Sequence, residues 1–323
     1  MKKSNLIKSF FFVTLLGAGL TSCGSDDGGG TSRENLAVTA NGSGLTTFVA
    51  AAELAGVGGR LTANNDHTVF APTNAAFDQF LSENGFANIN AVPVELLKEV
   101  VLNHIMTGDV AASALATGYR KTLAHGPASA SATLSLYVKT ESAVKLNGVS
   151  TITTSDVRAS NGRIHIVDKV IPLATVFAHI QANSDLSMFT AALQTNPASQ
   201  FVQTLSGTGN QSPFTVLAPV NAGVNTLLND LDVDGFGDLS AAALEELLSY
   251  HILGGTNLSY TQIADGTYTT LSGQSFTVLN TGGGKKITDV SNRIANFGNN
   301  TTRDIQAWNG VIHLIDNGLK PGL

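Results

Sequence analysis

The chain has 323 residues, 43% of them hydrophobic, enough for real cores and, at the usual size of a domain, for two of them. Its 18 Lys and Arg stand against 24 Asp and Glu, a net charge of −6, so the surface repels nucleic acid and anionic headgroups, and nucleic acid is excluded as a partner. The single cysteine excludes a disulfide framework, and low charge with abundant Gly, Ser, Thr and Asn points to strands and turns.

The first residues decide the compartment. Lys2, Lys3 and Lys8 lead into an apolar run from Phe10 to Leu20, too short to span a membrane, and then into Leu20-Thr21-Ser22-Cys23. A basic start, a short apolar segment and small residues before a cut make residues 1–22 a secretory signal peptide. Leu-Thr-Ser-Cys resembles the bacterial lipobox, which implies lipidation of Cys23 and a membrane partner through that anchor. Ordinary signal-peptidase cleavage is the alternative. Residues 23–33 contain a Gly-, Ser- and Asp-rich stretch with nothing to bury, the composition of a flexible tether. Ser25-Asp26-Asp27 resembles an acidic export signal, so the expected location is the outer membrane, exposed on the cell surface or facing the periplasm. Loss of residues 1–22 takes three lysines and no acid, leaving the mature chain at about −9.

Thr68-Val69-Phe70-Ala71-Pro72 then reads as a short β-branched strand stopped by proline. Thr73 is placed to cap a helix whose Phe77, Phe80 and Leu81 share one face. A second helix is predicted to start near Pro93, as its first residue, and to carry Leu97, Val100, Val101 and His104 on one stripe. Asn161-Gly162 lies between strand-like flanks, Asp156–Ser160 and Arg163–Asp168, which predicts a hairpin closed by a type I′ turn.

The same blocks return. Thr215-Val216-Leu217-Ala218-Pro219 repeats the first strand 147 residues on, and Tyr250-His251-Ile252 repeats Asn103-His104-Ile105 at the same offset. Asn309-Gly310-Val311-Ile312-His313 repeats Asn161-Gly162-Arg163-Ile164-His165 at an offset of 148. Ordered blocks in register, with one single-residue slip, define two homologous domains, 34–173 and 175–323. In the second, Ser240 is the expected cap of a helix with Leu244, Leu247, Leu248 and His251 on its stripe. The four repeated histidines, His104, His165, His251 and His313, are expected inside. Strands with two or three helices inserted after the first strand give an α+β, mainly β unit.

Chemistry is sparse. No Gly-x-Ser-x-Gly elbow occurs, and Gly282-Gly283-Gly284-Lys285 lacks the leading glycine of a phosphate loop and reads as a hairpin turn. No His-x-x-x-His or His-Glu pair offers a zinc site, and no cofactor is expected apart from calcium. Asp230, Asp232, Asp234, Gly235 and Asp238 fall at positions 1, 3, 5, 6 and 9 of a calcium-loop pattern. Ala241 stands where that pattern needs a bidentate glutamate, so the expectation is either a low-affinity calcium site or a solvated acidic connection.

Three ordered signatures, each present twice, resemble those of fasciclin (FAS1) domains: Thr-Val-Phe-Ala-Pro-Thr-Asn-Ala-Ala-Phe (68–77), the Tyr-His position at Asn103-His104 and Tyr250-His251, and Asn-Gly-x-Ile-His-x-x-Asp. The resemblance implies two tandem domains, each a β-sandwich or wedge with helices packed at one end, serving cell adhesion or matrix attachment without catalysis. An extracellular protein or polysaccharide is the implied ligand. Capture of glycans for nutrient uptake is the alternative; it would want exposed aromatic platforms, and with Trp308 the only tryptophan the sequence lends it little support. In animal relatives the Tyr-His region is implicated in integrin binding, which makes Tyr250 and His251 candidate binding residues. The stripe position of His251 argues instead for a core role.

Overall fold

The computed structural model describes residues 33–195, 200–209 and 211–323. The signal segment, Cys23 and the tether up to Ser32 lie outside them. In the first domain three helices come before any strand: α1 (Leu36–Gly42), α2 (Thr46–Leu54) and α3 (Gly59–Thr62). Sequence periodicity did not signal them, because they are short and Ala-, Gly- and Thr-rich. Asn35 starts α1 by accepting the N–H of Val38. There follow β1 (His67–Pro72), α4 (Asn74–Glu83), α5 (Val94–Leu102), β2 (Ile105–Thr107), β3 (Gly118–Gly126), β4 (Ser129–Thr140), β5 (Val144–Leu146), β6 (Ser150–Ala159) and β7 (Gly162–Val167).

The second domain repeats the order. Helices α6 (Val176–Ala182), α7 (Ser187–Thr195) and α8 (Phe201–Ser206) lead to β8 (Phe214–Pro219), α9 (Asn221–Asp230), α10 (Ala241–Ser249) and β9 (Ile252–Gly254). Then come β10 (Gly266–Thr269), β11 (Ser275–Thr281), β12 (Gly284–Thr288), β13 (Ile294–Asn296), β14 (Ile305–Ala307) and β15 (Gly310–Ile315). Fifteen strands against ten α-helices among the described residues make the fold α+β with strands in the majority.

In the first domain the strands form one sheet ordered β2-β1-β7-β6-β5-β4-β3, with β1 parallel to β7 and antiparallel to β2. In the second the long strand β6 is replaced by two short ones, β13 and β14, so the sheet divides into β14-β15-β8-β9 and β10-β11-β12-β13. Residues on β1 alternate between two cores: Val69 and Ala71 pack on the helices, while Phe70 packs with Leu136, Val138 and Ile171 on the other face. Strand β8 does the same with Val216 and Ala218 against Leu217. Both strands are buried on both faces, which explains their near-continuous apolar sequence.

Local signals placed most helix starts. Thr73 Oγ1 accepts the N–H of Ala76 at 3.1 Å, and Ser240 Oγ accepts that of Ala243 at 3.1 Å. Pro93 sits one position earlier than its chemistry suggested, as the residue before α5, with ψ at 130°. Phe77 is fully buried and Leu81 nearly so, whereas Phe80 is only partly covered.

The hairpins depart from expectation. Ala159 pairs with Gly162 and Ala307 with Gly310, so the loops are Ser160-Asn161 and Trp308-Asn309, and neither asparagine has positive φ. A type I′ turn is therefore absent. The glycines are needed for close approach instead: a Cβ on Gly162 would lie 1.9 Å from the carbonyl oxygen of His67, and one on Gly310 would lie 2.4 Å from that of Phe214. The asparagines staple the domain. Asn161 Oδ1 accepts the N–H of Leu36, and its amide donates to the carbonyls of Leu61 and Ala63. Asn309 makes the corresponding bonds with Val176, Leu205 and Gly207.

Candidate functional site

The repeated histidines are internal fasteners. His104 Nε2 accepts the N–H of Ile171 at 2.8 Å, so Nδ1 carries the proton and donates to the carbonyl of Val100 at 2.7 Å. His251 repeats this with Leu319 and Leu247. Burial pushes both imidazoles down to about 4, which keeps them neutral. His165 and His313 hold the opposite tautomer. Their Nδ1 atoms accept the N–H groups of Asp156 and Asp304, both at positive φ, and their Nε2 atoms donate to the carbonyls of Val110 and Leu258.

Tyr250, the other candidate binding residue, is fully buried. Its hydroxyl donates to the carbonyl of Ser275 at 2.9 Å and accepts the N–H of Val290 at 3.2 Å, and burial pushes its pKa up to about 12. Tyr250 and His251 are neighbours in sequence but enter different cores, Tyr250 against Phe276 and His251 against Phe189. In the first domain Asn103 takes the tyrosine's place by donating to the carbonyls of Ile171 and Pro172.

The acidic loop is divided among other partners. Asp230 ends α9 and forms an ion pair with Arg293 at 2.7 Å. Asp238 Oδ2 accepts the N–H groups of Asp234 and Gly235, closing its own turn. Asp232 sits at a φ of 56° and, like Asp234, is exposed. Among the described residues no three His, Cys, Asp or Glu side chains converge on a point that would hold a metal ion.

A second polar cluster is confined to the first domain. Arg163 reaches both carboxylate oxygens of Asp109 and, through its third nitrogen, Asp156 at 2.6 Å. Its guanidinium holds the Asp109 carboxyl below the ordinary range. Val311 occupies the corresponding position in the second domain, so this cross-brace is not part of the common fold.

A further set of contacts lies where the two domains meet, and sequence reasoning did not find it. Ser135 Oγ accepts the N–H of Gln306 at 3.0 Å and a bond from Lys121 Nζ, which also donates to the carbonyl of Asp304 at 2.8 Å. The backbone N–H of Trp308 donates to the carbonyl of Ala174 in the connecting segment. Tyr119 packs edge-on to His179 at 5.6 Å, and that imidazole is buried with neither ring nitrogen hydrogen-bonded.

Trp308, held on the second domain's last hairpin, packs on the first domain's core. It lines two cavities at once. One, of about 390 Å3, lies between α4, α5 and residues 169–173; the other, of about 330 Å3, lies between the start of α5 and the β3–β4 turn. Leu96 and Trp308 border both, so the two lie side by side along a groove at the junction. Gln79, Glu83 and Lys169 rim the first cavity, and Glu95, Glu99 and His125 rim the second.

In the second domain two glycines close the space that corresponds to the larger cavity. Gly223 and Gly318 stand where the first domain has Ala76 and Val170. A Cβ on Gly223 would lie 2.3 Å from the carbonyl oxygen of Asp316, and one on Gly318 would lie 2.6 Å from Leu227. There the helix closes on the chain; in the first domain two side chains hold it off.

The family model described as Fasciclin domain matches residues 43–173 and again 184–321. The chain is 28% identical over 261 residues to Periostin of Homo sapiens, a match covering 79% of this chain and 28% of that protein. It is 34% identical over 134 residues to Protein sll1483 of Synechocystis sp., covering 42% of this chain and 70% of that one. The chain thus spans just over a quarter of periostin's length. The structure of a FAS1 domain pair from the insect cell adhesion molecule Fasciclin I aligns with a TM-score of 0.47 at 18% identity, covering 87% of this chain and 94% of that one.

Proposed function

Because the chain belongs to the fasciclin domain family, with matches at residues 43–173 and 184–321, we propose that it is a non-catalytic adhesion module. In this reading a lipid on Cys23 holds it at the outer membrane, on the cell surface or the periplasmic face, and its two domains meet an extracellular protein or polysaccharide.

The observation that carries the reading is the direction of the repeated polar groups. His104, His165, His251, His313, Asn161 and Asn309 all face inward, and each spends its hydrogen bonds on the backbone of its own domain. Groups that the fold consumes in this way are unavailable to a substrate. Recognition then falls to surfaces, as adhesion requires. A second reading, a glycan-capturing accessory lipoprotein for nutrient uptake, draws support from the place of Trp308 in the junction groove.

Cell attachment tests the proposal. Cells making the full chain are expected to adhere to immobilised matrix protein or polysaccharide more than cells lacking it. Cys23→Ser is expected to move the protein out of the membrane fraction and remove that adhesion. Unchanged adhesion after deletion of the chain would sink the adhesion role, and a Cys23→Ser protein that still pellets with membranes and incorporates labelled palmitate would sink the anchor.

A further inference from the structure

We propose that the groove at the domain junction binds a saccharide chain, specifically an uncharged or amino-bearing hexose oligomer. This deepens the adhesion reading and rests on it in taking the ligand to be an external polymer.

The groove's size and lining select the ligand class. Its two cavities, about 390 and 330 Å3, each fall in the range of a small-molecule site and adjoin at Leu96 and Trp308. A chain of rings suits a pair of adjoining cavities better than a single compact molecule does. Trp308 lines both, and its indole is an amphipathic side chain with a flat apolar face beside a polar edge. Around it stand carboxylates, amides and an imidazole. Hexose rings have the same two-sided character, apolar on the C–H faces and ringed by hydroxyls that both donate and accept.

An orphaned polar atom marks the second cavity. His125 lies on its wall, and the buried Nδ1 of that imidazole has no hydrogen-bond partner. The backbone N–H of the same residue is already taken, donating to Glu99 Oε2 at 2.6 Å. Nδ1 has no exposed surface and is out of a ligand's reach, but Nε2 is not buried and is likewise unpaired, and a hydroxyl, which both donates and accepts, can bond it in either tautomer. An apolar peptide in the groove would cover the indole and leave Nε2 unpaired, so the sugar is the better fit.

Charge narrows the class. Three carboxylates, Glu83, Glu95 and Glu99, rim the groove against one ammonium, Lys169, on a chain that is already net negative. Uronates and sulfated glycans are repelled by such a rim. An amino group is attracted both by the carboxylates and by the indole face.

The experiment uses the soluble chain from residue 33 onward and reads emission from Trp308, the sole tryptophan, so that any change reports on the groove itself. Titration with a glucosamine hexamer and with a cellulose hexamer is expected to give saturable emission changes, the amino oligomer binding the more tightly. A galacturonate hexamer is expected to bind at least tenfold more weakly. Trp308→Phe has no tryptophan left to read, so its affinity is taken by titration calorimetry beside the parent chain, and it is expected to bind about tenfold more weakly. Glu95 pairs only with Lys98 on the surface, so Glu95→Gln leaves the fold intact and is expected to weaken the amino oligomer several-fold and the neutral one little. No binding of either favoured oligomer, equal binding of the galacturonate, or affinities unmoved by both variants would overturn the proposal. Failure of all sugars to bind while cells still adhere would overturn this inference alone, whereas sugar binding without cell adhesion would uphold it and sink the adhesion role.

Discussion

His251 and Leu319 are 68 residues apart, and the imidazole Nε2 of the first accepts the backbone N–H of the second at 2.9 Å. His104 and Ile171 form the same bond in the first domain at 2.8 Å. In each case the histidine, just beyond the end of a helix, pins the segment that follows the domain's last strand. The bond exists only for the neutral ring, because a protonated Nε2 has no lone pair to offer.

Stability is therefore expected to depend on pH below neutrality. Burial lowers His104 and His251 to about 4 in the folded chain, against 6.5 for an unperturbed imidazole, and lowers His179 to about 3. Between those values the unfolded chain binds protons that the folded chain refuses. The stabilisation is complete above about pH 6.5 and is lost as pH falls toward 4, on the order of 3 kcal/mol for each of His104 and His251 at the end of that range. Melting temperatures from pH 7 to pH 4 check this; a flat profile would contradict it. His251→Ala is expected to cost about 1 to 3 kcal/mol at pH 7 by leaving the Leu319 N–H unpaired.

Gly162→Ala is expected to be among the most damaging single changes in the first domain. The added methyl group collides with the His67 carbonyl oxygen, and the backbone at φ 139° is one that side chains rarely adopt. Strain and overpacking together amount to about 2 to 6 kcal/mol, read from denaturant unfolding. A variant as stable as the parent would show that the parallel pair β1–β7 is looser than its register implies.

Ser135→Ala is expected to loosen the junction while leaving each core intact. It removes the acceptor of the buried Gln306 N–H and one partner of Lys121. The expected cost is about 1 to 3 kcal/mol, with faster proteolysis near Ala174. Unaltered proteolysis and melting would mean that the domains are held together by packing alone.

Calcium is expected to have little effect. Asp230 is paired with Arg293 and Asp238 caps its own turn, so two of the four loop carboxylates would have to leave partners to reach an ion. At a calcium concentration equal to Kd the gain is about 0.4 kcal/mol, a rise of about 1 °C. Melts of the full chain in millimolar calcium, magnesium and chelator decide the matter. A calcium-specific rise well above that, removed by Asp234→Asn, would establish the site.

Local features of sequence were enough for whatever depends on local chemistry. The nearly constant offset between blocks revealed two copies of one domain, the caps at Thr73 and Ser240 marked helix starts, and the stripe position of His104 and His251 placed both rings inside. Turn type was misjudged because Asn161-Gly162 carries the same two letters as a type I′ loop. What fixes Gly162 is the carbonyl of His67, 95 positions away, and what fixes Asn161 is backbone on α1, in α3 and just beyond α3. The helices before β1 left little periodic trace for the same reason: they are held by the rest of the domain more than by their own propensity. The groove is further still from the sequence. Its walls come from α4, α5 and the β3–β4 turn of one domain and from Trp308 of the other, and its depth rests on Ala76 and Val170 where the second copy has glycines. Recurring residues can be read from a chain because each copy supplies the comparison; a junction occurs once, and only the packing of one copy on the other decides which side chains it brings together.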